Sequence, residues 1–480
     1  MLDDITRFLS VDGWLNTTLK QIEEILWGWN FHSMIFILAG CGIYFTLRSR
    51  FVQFRMLPEM FRLLTEAVPK NDHKHHISSF QAFAVSLATR VGTGNLAGVA
   101  TAIAVGGPGS VFWMWIIALI GAATSFVEST LAQLFKRRHG ESFIGGPAYY
   151  ILHGLHCRWM AVLFAVLLTL TFGLSYNSIQ SNTIAGAMER AFGVDHVVVG
   201  VVLTVVALAI VFGGIHRIAR FSSVIVPLMA IGYFLLALVI IVMNYDQVPA
   251  VMRLIIDDAF GVGSMAGGAI GVTMREGIKR GLFSNEAGEG SAPNVAATAS
   301  VTHPVKQGLI QSLGVFTDTI VVCTCTAFII LLSGLYGTGD SGIVLTQNSL
   351  ESHIGPVGQY FLAAAILFFA FSSIIGNYYY GEANILFLTR KRWVLQAFRV
   401  LSGGVMVMMG AMASLDLVWS LGDVFMALIT LCNLVAIVLL GKYAIALLND
   451  YRSQKRRGIK DPTFNKRSMP SIAGDLDAWD

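Results

Sequence analysis

The protein is 480 residues long, 55% hydrophobic and only 13% charged, with a formal net charge of +4. A soluble domain carries about twice that charged fraction, and its interior could not hide so much apolar surface, whereas a bilayer solvates it. A soluble globular fold is therefore excluded in favour of an all-α polytopic membrane protein, with 48 glycines that let helix backbones approach closely.

In chain order, Met1 to Ile25 is polar and lacks the basic start and early apolar run of a cleavable signal, so the first spanning helix reads as an uncleaved insertion signal. Eleven segments are apolar and long enough to cross a bilayer at about 1.5 Å per residue. They cover 26–48, 79–106, 111–134, 159–188, 196–214, 221–243, 264–299, 306–335, 357–388, 394–413 and 417–446. Between the first two, Phe51 to Ala67 sets Phe, Met and Leu against Arg and Glu at helical spacing, which predicts an amphipathic helix on the cytoplasmic surface. His73, His75 and His76 follow in a polar loop and read as solvated residues; neither they nor His32 read as metal ligands. Cys41, Cys157, Cys323, Cys325 and Cys432 have no metal or disulfide spacing, and Cys323 and Cys325 read as small packing residues.

Basic residues collect in alternate loops: Arg48, Arg50, Arg55, Arg62, Lys70 and Lys74; Lys136, Arg137 and Arg138; Arg217 and Arg220; Arg390, Lys391 and Arg392; and Arg452 to Lys460. This positive-inside pattern places the C-terminus in the cytoplasm and, with an odd helix count, the N-terminus outside. Arg275, Lys279 and Arg280 depart from it and read as lining an aqueous cavity. The basic tail reads as topogenic, lipid-facing charge rather than a nucleic-acid patch. The chain divides into an N-terminal helix with the amphipathic segment (1–78), a first five-helix repeat (79–243), a second (264–446) and a basic tail (447–480).

Two segments are poor continuous helices. The second holds Arg90-Val91-Gly92-Thr93-Gly94-Asn95, and the seventh holds Ser284-Asn285-Glu286-Ala287-Gly288-Glu289-Gly290 with Pro293 just beyond. Each Gly costs a helix interior about 1 kcal/mol against Ala, and each Pro about 3. At membrane depth the freed backbone is tolerated only where it is buried in protein or lines a polar cavity. Close helix packing would account for the glycines but not for the Asn, Glu and Ser among them. With the first helix set aside, the two breaks occupy the first helix of each half of a five-plus-five inverted repeat, which points to a substrate site near the midplane. Half-helix N-termini offer N–H groups to a carboxylate. Unwound carbonyls and Ser, Thr and Asn offer oxygen to an ammonium or to sodium.

The runs Thr89 to Ala100, Gly106 to Gly109, Phe112 to Trp115 and Phe283 to Gly288 resemble the alanine/glycine:cation symporter family, the sodium:alanine symporters, and the similarity extends from about Trp27 to Tyr451. The resemblance implies a leucine-transporter-like fold of two inverted repeats plus one N-terminal helix, in a bacterial inner membrane. It implies uptake of alanine or glycine driven by sodium, in some members by protons. It implies a substrate site of Gly92, Thr93, Gly94, Asn95, Gln180, Ser284 and Asn285. Sodium, the co-transported ion, would sit between the carbonyls of Ala88 and Val91 and the hydroxyls of Ser372 and Ser373. Without the resemblance, those two hydroxyls read first as bonding back to the preceding turn. Many members carry Gln where this chain has Ala97, and methionine is common where it has Glu289, a charge assigned to the cytoplasmic opening.

Arg90, Glu128, Glu286, Asp318 and Asp423 lie in or near spanning segments, where a charge is a functional hypothesis by default. Asp318 is open to several roles: ligating a cation, carrying a coupling proton, closing a gate, or pairing with Arg90 or Arg275. Glu128 is set opposite Arg90, Asp423 near the last helix as a cap or ion pair, and Glu286 within the second break as a brace. Arg90, Asp318 and Glu286 thus form the candidate coupling or gating set. The main reading is a secondary active transporter of a small neutral amino acid by alternating access, surrounded by the lipid bilayer, with no nucleic-acid partner and a monomeric state admitted. The alternatives are a proton-coupled carrier and an ion channel, the latter disfavoured because the two breaks differ in sequence. The chain has no metalloprotease, P-loop or nucleophile-elbow motif, so an enzyme is not expected.

Overall fold

A computed structural model describes residues 14–28, 33–66, 77–140, 142–212, 215–261 and 267–479. The expectations for His32, Lys70, His73, Lys74, His75 and His76 fall outside them, as do the side chains of Arg217 and Arg220.

The first expected span, 26–48, is divided. Helix α1 (Trp14–Trp27) precedes Gly28, and α2 (Met34–Arg48) starts anew at Ser33, whose Oγ accepts from the Ile35 amide at 3.3 Å. A Ser cap restarts a helix because it satisfies an N–H that has no intrahelical partner. The amphipathic segment forms α3 (Leu57–Leu64), which buries Met60 and Leu63 and exposes Phe61.

Both glycine-rich segments are interrupted, as their composition requires. Helix α4 (Ser79–Arg90) begins at a capping box between Ser78 and Gln81. It ends at Arg90; Val91 is extended, a wide π turn spans Gly94–Gly98, and α5 (Val99–Gly106) resumes. Then come α6 (Ser110–Leu134), a hairpin of β1 (Arg137–His139) and β2 (Ser142–Ile144), and α7 (Pro147–Gly154). Helix α8 (Arg158–Phe192) carries its own π turn at Thr171–Tyr176. Next are α9 (His196–Val211), α10 (Ile215–Met243) and α11 (Val248–Ala259), the last bent by 104° from the end of α10. Helix α12 (Gly267–Asn285) unwinds before the short α13 (Ala292–Ala296). The chain continues with α14 (Val305–Ser333), α15 (Gly342–Ile354), α16 (Val357–Leu388), α17 (Arg392–Met412) and α18 (Leu415–Arg456).

Among the described residues, α6, α8, α14, α16, α17 and α18 are each long and apolar enough to cross a membrane, and the bent pair α10–α11 adds a seventh candidate. Packing brings α6 against α12 and α14, and α8 against α16 and α17, so both breaks are enclosed. The polarity is inverted relative to a soluble domain. Val202, Val205, Leu228 and Leu439 are exposed, while Arg90, Glu128, Glu286 and Asp318 are buried.

Beyond its basic run, of which Arg456, Arg457 and Lys460 are exposed, the tail is packed on the protein. It folds back over one end of the bundle. The Phe464 amide donates to Thr302 O at 2.9 Å, Lys306 pairs with Asp461 and, at 2.8 Å, with Glu66, and the Trp479 indole donates to Gln133 O at 3.1 Å. Glu59 of α3 accepts from Tyr451 at 2.5 Å and pairs with Lys455 at 2.9 Å. Lys455, read as topogenic in sequence, thus meets a carboxylate distant in sequence, a pairing that helical periodicity does not encode.

Burial alone would raise the Glu59 carboxyl, but hydrogen bonds from Arg62, Tyr451 and Lys455 hold it down at about 2. Asp461 is held below its ordinary range against burial by Lys306 and Thr302. A carboxyl depressed in the folded state contributes stability above its unfolded value and loses it as pH falls through the folded one. The clamp should therefore hold above about pH 4.5 and loosen progressively towards pH 2. Protease cleavage within 458–479, followed against pH, should rise across that window; a flat profile would show that these pairs do not hold the tail.

Candidate functional site

The two breaks face each other. After Arg90 the chain leaves the helix and exposes backbone N–H groups, and each is met by a side-chain amide oxygen. The Gly92 amide donates to Asn95 Oδ1 at 2.9 Å; the Thr93 amide and hydroxyl donate to Gln180 Oε1 at 3.1 and 2.7 Å. Glycine is required at 92, where a Cβ would strike Ser373 Oγ and lie 3.0 Å from Gln180 Oε1. It is also required at 94, where a Cβ would lie 3.0 Å from Ser284 Cα and 3.1 Å from the Phe283 ring.

Asn95 joins the halves. Its Nδ2 donates to Asp318 Oδ1 at 2.6 Å and to Ser284 Oγ at 3.1 Å, and lies 3.3 Å from Cys323 Sγ. Asp318 accepts further from Ser284 Oγ at 2.6 Å and Thr319 Oγ1 at 2.9 Å. No basic side chain lies within ion-pair distance of Asp318 among the described residues: Arg275 pairs with Glu24 and Glu276 instead, and Arg90 donates to Gln311 O at 3.1 Å. A buried carboxylate held only by neutral donors keeps acceptor capacity for a cation.

The second break is braced from several sides. Asn285 Oδ1 accepts from the Ala287 amide at 3.0 Å and its Nδ2 donates to Thr319, so its side chain shapes the loop. Glu286, in a left-handed conformation at φ 55°, accepts from Ser291 Oγ at 2.5 Å. Glu128 accepts from the Gly288 amide at 3.2 Å and from Asn433 at 2.8 Å, and does not pair with Arg90. Glu289 is fully buried against the Tyr176 hydroxyl, not at an opening.

A second oxygen cluster adjoins the first break. Ser373 Oγ donates to Ala88 O at 2.8 Å and Phe369 O at 3.1 Å; Ser372 Oγ stands 3.4 Å from Ala88 O and 2.8 Å from Phe369 O. The adjacent serines serve two helices. They bond back to the preceding turn and they also reach across to α4.

Beside the breaks, Tyr176, Phe283 and Trp419 pack edge-to-face in sequence at centroid separations of 4.7 and 4.8 Å. The Arg280 guanidinium lies over Trp419, 4.1 Å from its centroid, and pairs with both oxygens of Asp423 at 2.9 and 3.0 Å. Lys279 joins Asp423, Glu276 and Glu23, and the Trp27 indole donates to Asp423 O. These charges border a cavity of about 420 Å³, as the departures from the charge pattern suggested. Cys323, Thr319, Tyr176 and the Phe369 carbonyl were not singled out as site groups in the sequence. Cys323 and Thr319 lie on a π turn, Phe316–Cys323, whose altered phase turns them to the site, and no local pattern announces it.

The fold is similar to that of MhsT, solved in complex with L-phenylalanine, with a TM-score of 0.56, 13% identity, and coverage of 78% of this chain and 99% of that one. That fold and its apolar spans are those of a multi-pass integral membrane protein, and the family match that follows makes it a secondary transporter. The family model for the sodium:alanine symporter family matches residues 12–466, and the chain belongs to that family of transporters. It is 51% identical to the probable sodium/glutamine symporter GlnT of Bacillus subtilis, over 95% of this chain and 94% of that protein. It is 35% identical to the sodium/alanine symporter AgcS of Methanococcus maripaludis, over 92% and 98%.

Proposed function

We propose that this protein couples sodium entry to the uptake of small neutral amino acids, alanine and glycine foremost, by alternating access between two inverted five-helix repeats. The bacterial inner membrane is its site, with the N-terminus outside and the tail clamp in the cytoplasm. The observation that carries the reading is the Thr93 amide facing Gln180 Oε1. An amide oxygen there stands in for a substrate carboxylate, which would take the same N–H at the start of a half-helix. The substrate ammonium would lie on the Ser284 and Asp318 side, where oxygen acceptors cluster. Sodium would be held by the Ala88, Val91 and Phe369 carbonyls with the Ser372 and Ser373 hydroxyls, a hard oxygen set suited to a hard ion. The names of both relatives include sodium.

Ser373 makes the shorter contact to Ala88 O, so Ser373→Ala should raise the sodium concentration for half-maximal uptake by about tenfold, and Ser372→Ala by less. Titrating uptake with sodium in proteoliposomes tests this. An unchanged sodium dependence in both variants would move the ion elsewhere, and uptake driven by a proton gradient alone would keep the carrier but remove the sodium site.

A further inference from the structure

At one end of α2 and α18 the protein gathers positive charge that it does not neutralise. The two helices run parallel: Leu38 and Leu434 both approach Gly288, Phe45 lies against Gly441, and Arg452 feels the charges of Arg50, Arg55 and Arg456. Nearby, Arg62 and Lys455 are both paired with Glu59. No carboxylate lies within ion-pair distance of Arg48, Arg50, Arg55, Arg452 or Arg456 among the described residues. Arg50 and Phe51 are both left-handed, at φ 54° and 59°, a sharp turn that ends α2 and sets Arg50 and Arg55 beside Arg452. Like charges brought together repel, so the cluster is unfavourable until an anion joins it.

The same two helices frame an apolar groove of about 450 Å³, whose walls include Phe36, Gly40 and Tyr44 of α2 and Leu431, Val435 and Leu439 of α18. From Phe36 to Tyr44, and from Leu431 to Leu439, the groove runs about 12 Å along the helix axes. Gly40 holds it open: a Cβ there would meet nothing within 4 Å. At one end the Arg48 guanidinium lies over the Tyr44 ring, 6.0 Å from its centroid, and the exposed Lys442 follows Leu439 on α18. The groove therefore leads into the arginine cluster. Leu434 also lines it and stands 3.2 Å from where a Cβ on Gly288 would lie, so the groove and the second break share a wall.

We propose that the groove and the arginines at its end bind an anionic phospholipid, with one acyl chain between α2 and α18 and the phosphate among Arg48, Arg50, Arg452 and Arg456. Charge selects the headgroup. A phosphate forms strong charge-assisted hydrogen bonds with guanidinium groups, whereas a zwitterionic headgroup brings its own cation into a cluster that lacks anions. The apolar walls select a chain, so a free phosphate would use only part of the site. Seated there, the lipid neutralises the cluster and backs Leu434 against the second break. It is a stabilising ligand separate from any transported solute, and the proposal does not depend on the carrier reading above.

The test is thermal unfolding of the full-length protein in detergent, titrated with phosphatidylglycerol, with phosphatidylcholine of the same chains, and with glycerol phosphate, which has the phosphate but no chain. A ligand of the folded state raises the melting temperature as its concentration rises. Phosphatidylglycerol should do so and the other two should not. Arg452→Gln with Arg456→Gln should raise the phosphatidylglycerol concentration for half the shift by at least about tenfold. Gly40→Leu, which fills the groove from a position with open space around it, should do the same. Lys391→Gln with Arg392→Gln, which removes the same charge at the start of α17, should leave the titration unchanged. No shift with phosphatidylglycerol, or an equal shift with phosphatidylcholine, would overturn the site. Equal weakening by the Lys391 and Arg392 pair would replace it with general surface charge. A matching shift with glycerol phosphate, or an unchanged titration in Gly40→Leu, would overturn the chain-binding groove.

Discussion

Asn95→Ala is expected to lower uptake at least about 100-fold. Asn95 donates to the Asp318 carboxylate at 2.6 Å and accepts from the Gly92 amide at 2.9 Å. A hydrogen bond to a charged group contributes about 1.5–3 kcal/mol and a neutral one about 1 kcal/mol. Losing both strands a buried carboxylate and a buried amide, and a loss of about 3 kcal/mol in the assembled site is roughly 100-fold at about 1.4 kcal/mol per decade. Initial rates in proteoliposomes, with a melting curve of the variant in detergent, provide the check. A rate within a few-fold of the parent, at unchanged melting temperature, would show that the two breaks work independently of this residue.

Asp423→Asn should have the larger effect on stability. It removes the carboxylate that receives Arg280 through two hydrogen bonds and Lys279 at 3.2 Å, all three side chains being nearly inaccessible. Removing one partner of a buried ion pair costs about 3–5 kcal/mol, because the remaining charge loses its compensation, whereas replacing the whole pair with apolar residues is often close to neutral. The double variant Arg280→Met, Asp423→Leu should therefore recover much of the melting temperature lost by Asp423→Asn. It should not recover transport if the pair opens and closes the mouth above Trp419. Recovery of both would reduce this cluster to a structural role.

Much of this was legible in the sequence because its cause is local. Glycine runs at 92–94 and 286–290 cannot sustain a helix, and both breaks are where composition places them. Thr93, Asn95, Gln180, Ser284, Ser372 and Ser373 all turn inward to the breaks or to Ala88. Other features were not legible, because their partners lie far along the chain. Asn285 carries the same side chain as Asn95, but its Nδ2 donates to Thr319 on another helix while its Oδ1 accepts from the Ala287 amide. Arg90 belongs to the first break in sequence, yet its guanidinium reaches Gln311 on α14. The polar lead-in forms α1, whose Glu23 and Trp27 close over Lys279 and Asp423, contacts of more than two hundred residues' separation. The tail clamp was hidden for the same reason.

The central claim, that sodium and a small amino acid share one carrier site, is tested most directly by uptake of radiolabelled alanine into proteoliposomes holding the purified protein, with and without an inward sodium gradient. The expected result is saturable uptake that requires the gradient, is competed by glycine, and is lost in Asn95→Ala. No alanine uptake under either a sodium or a proton gradient, from protein whose melting curve shows it folded, would contradict the account.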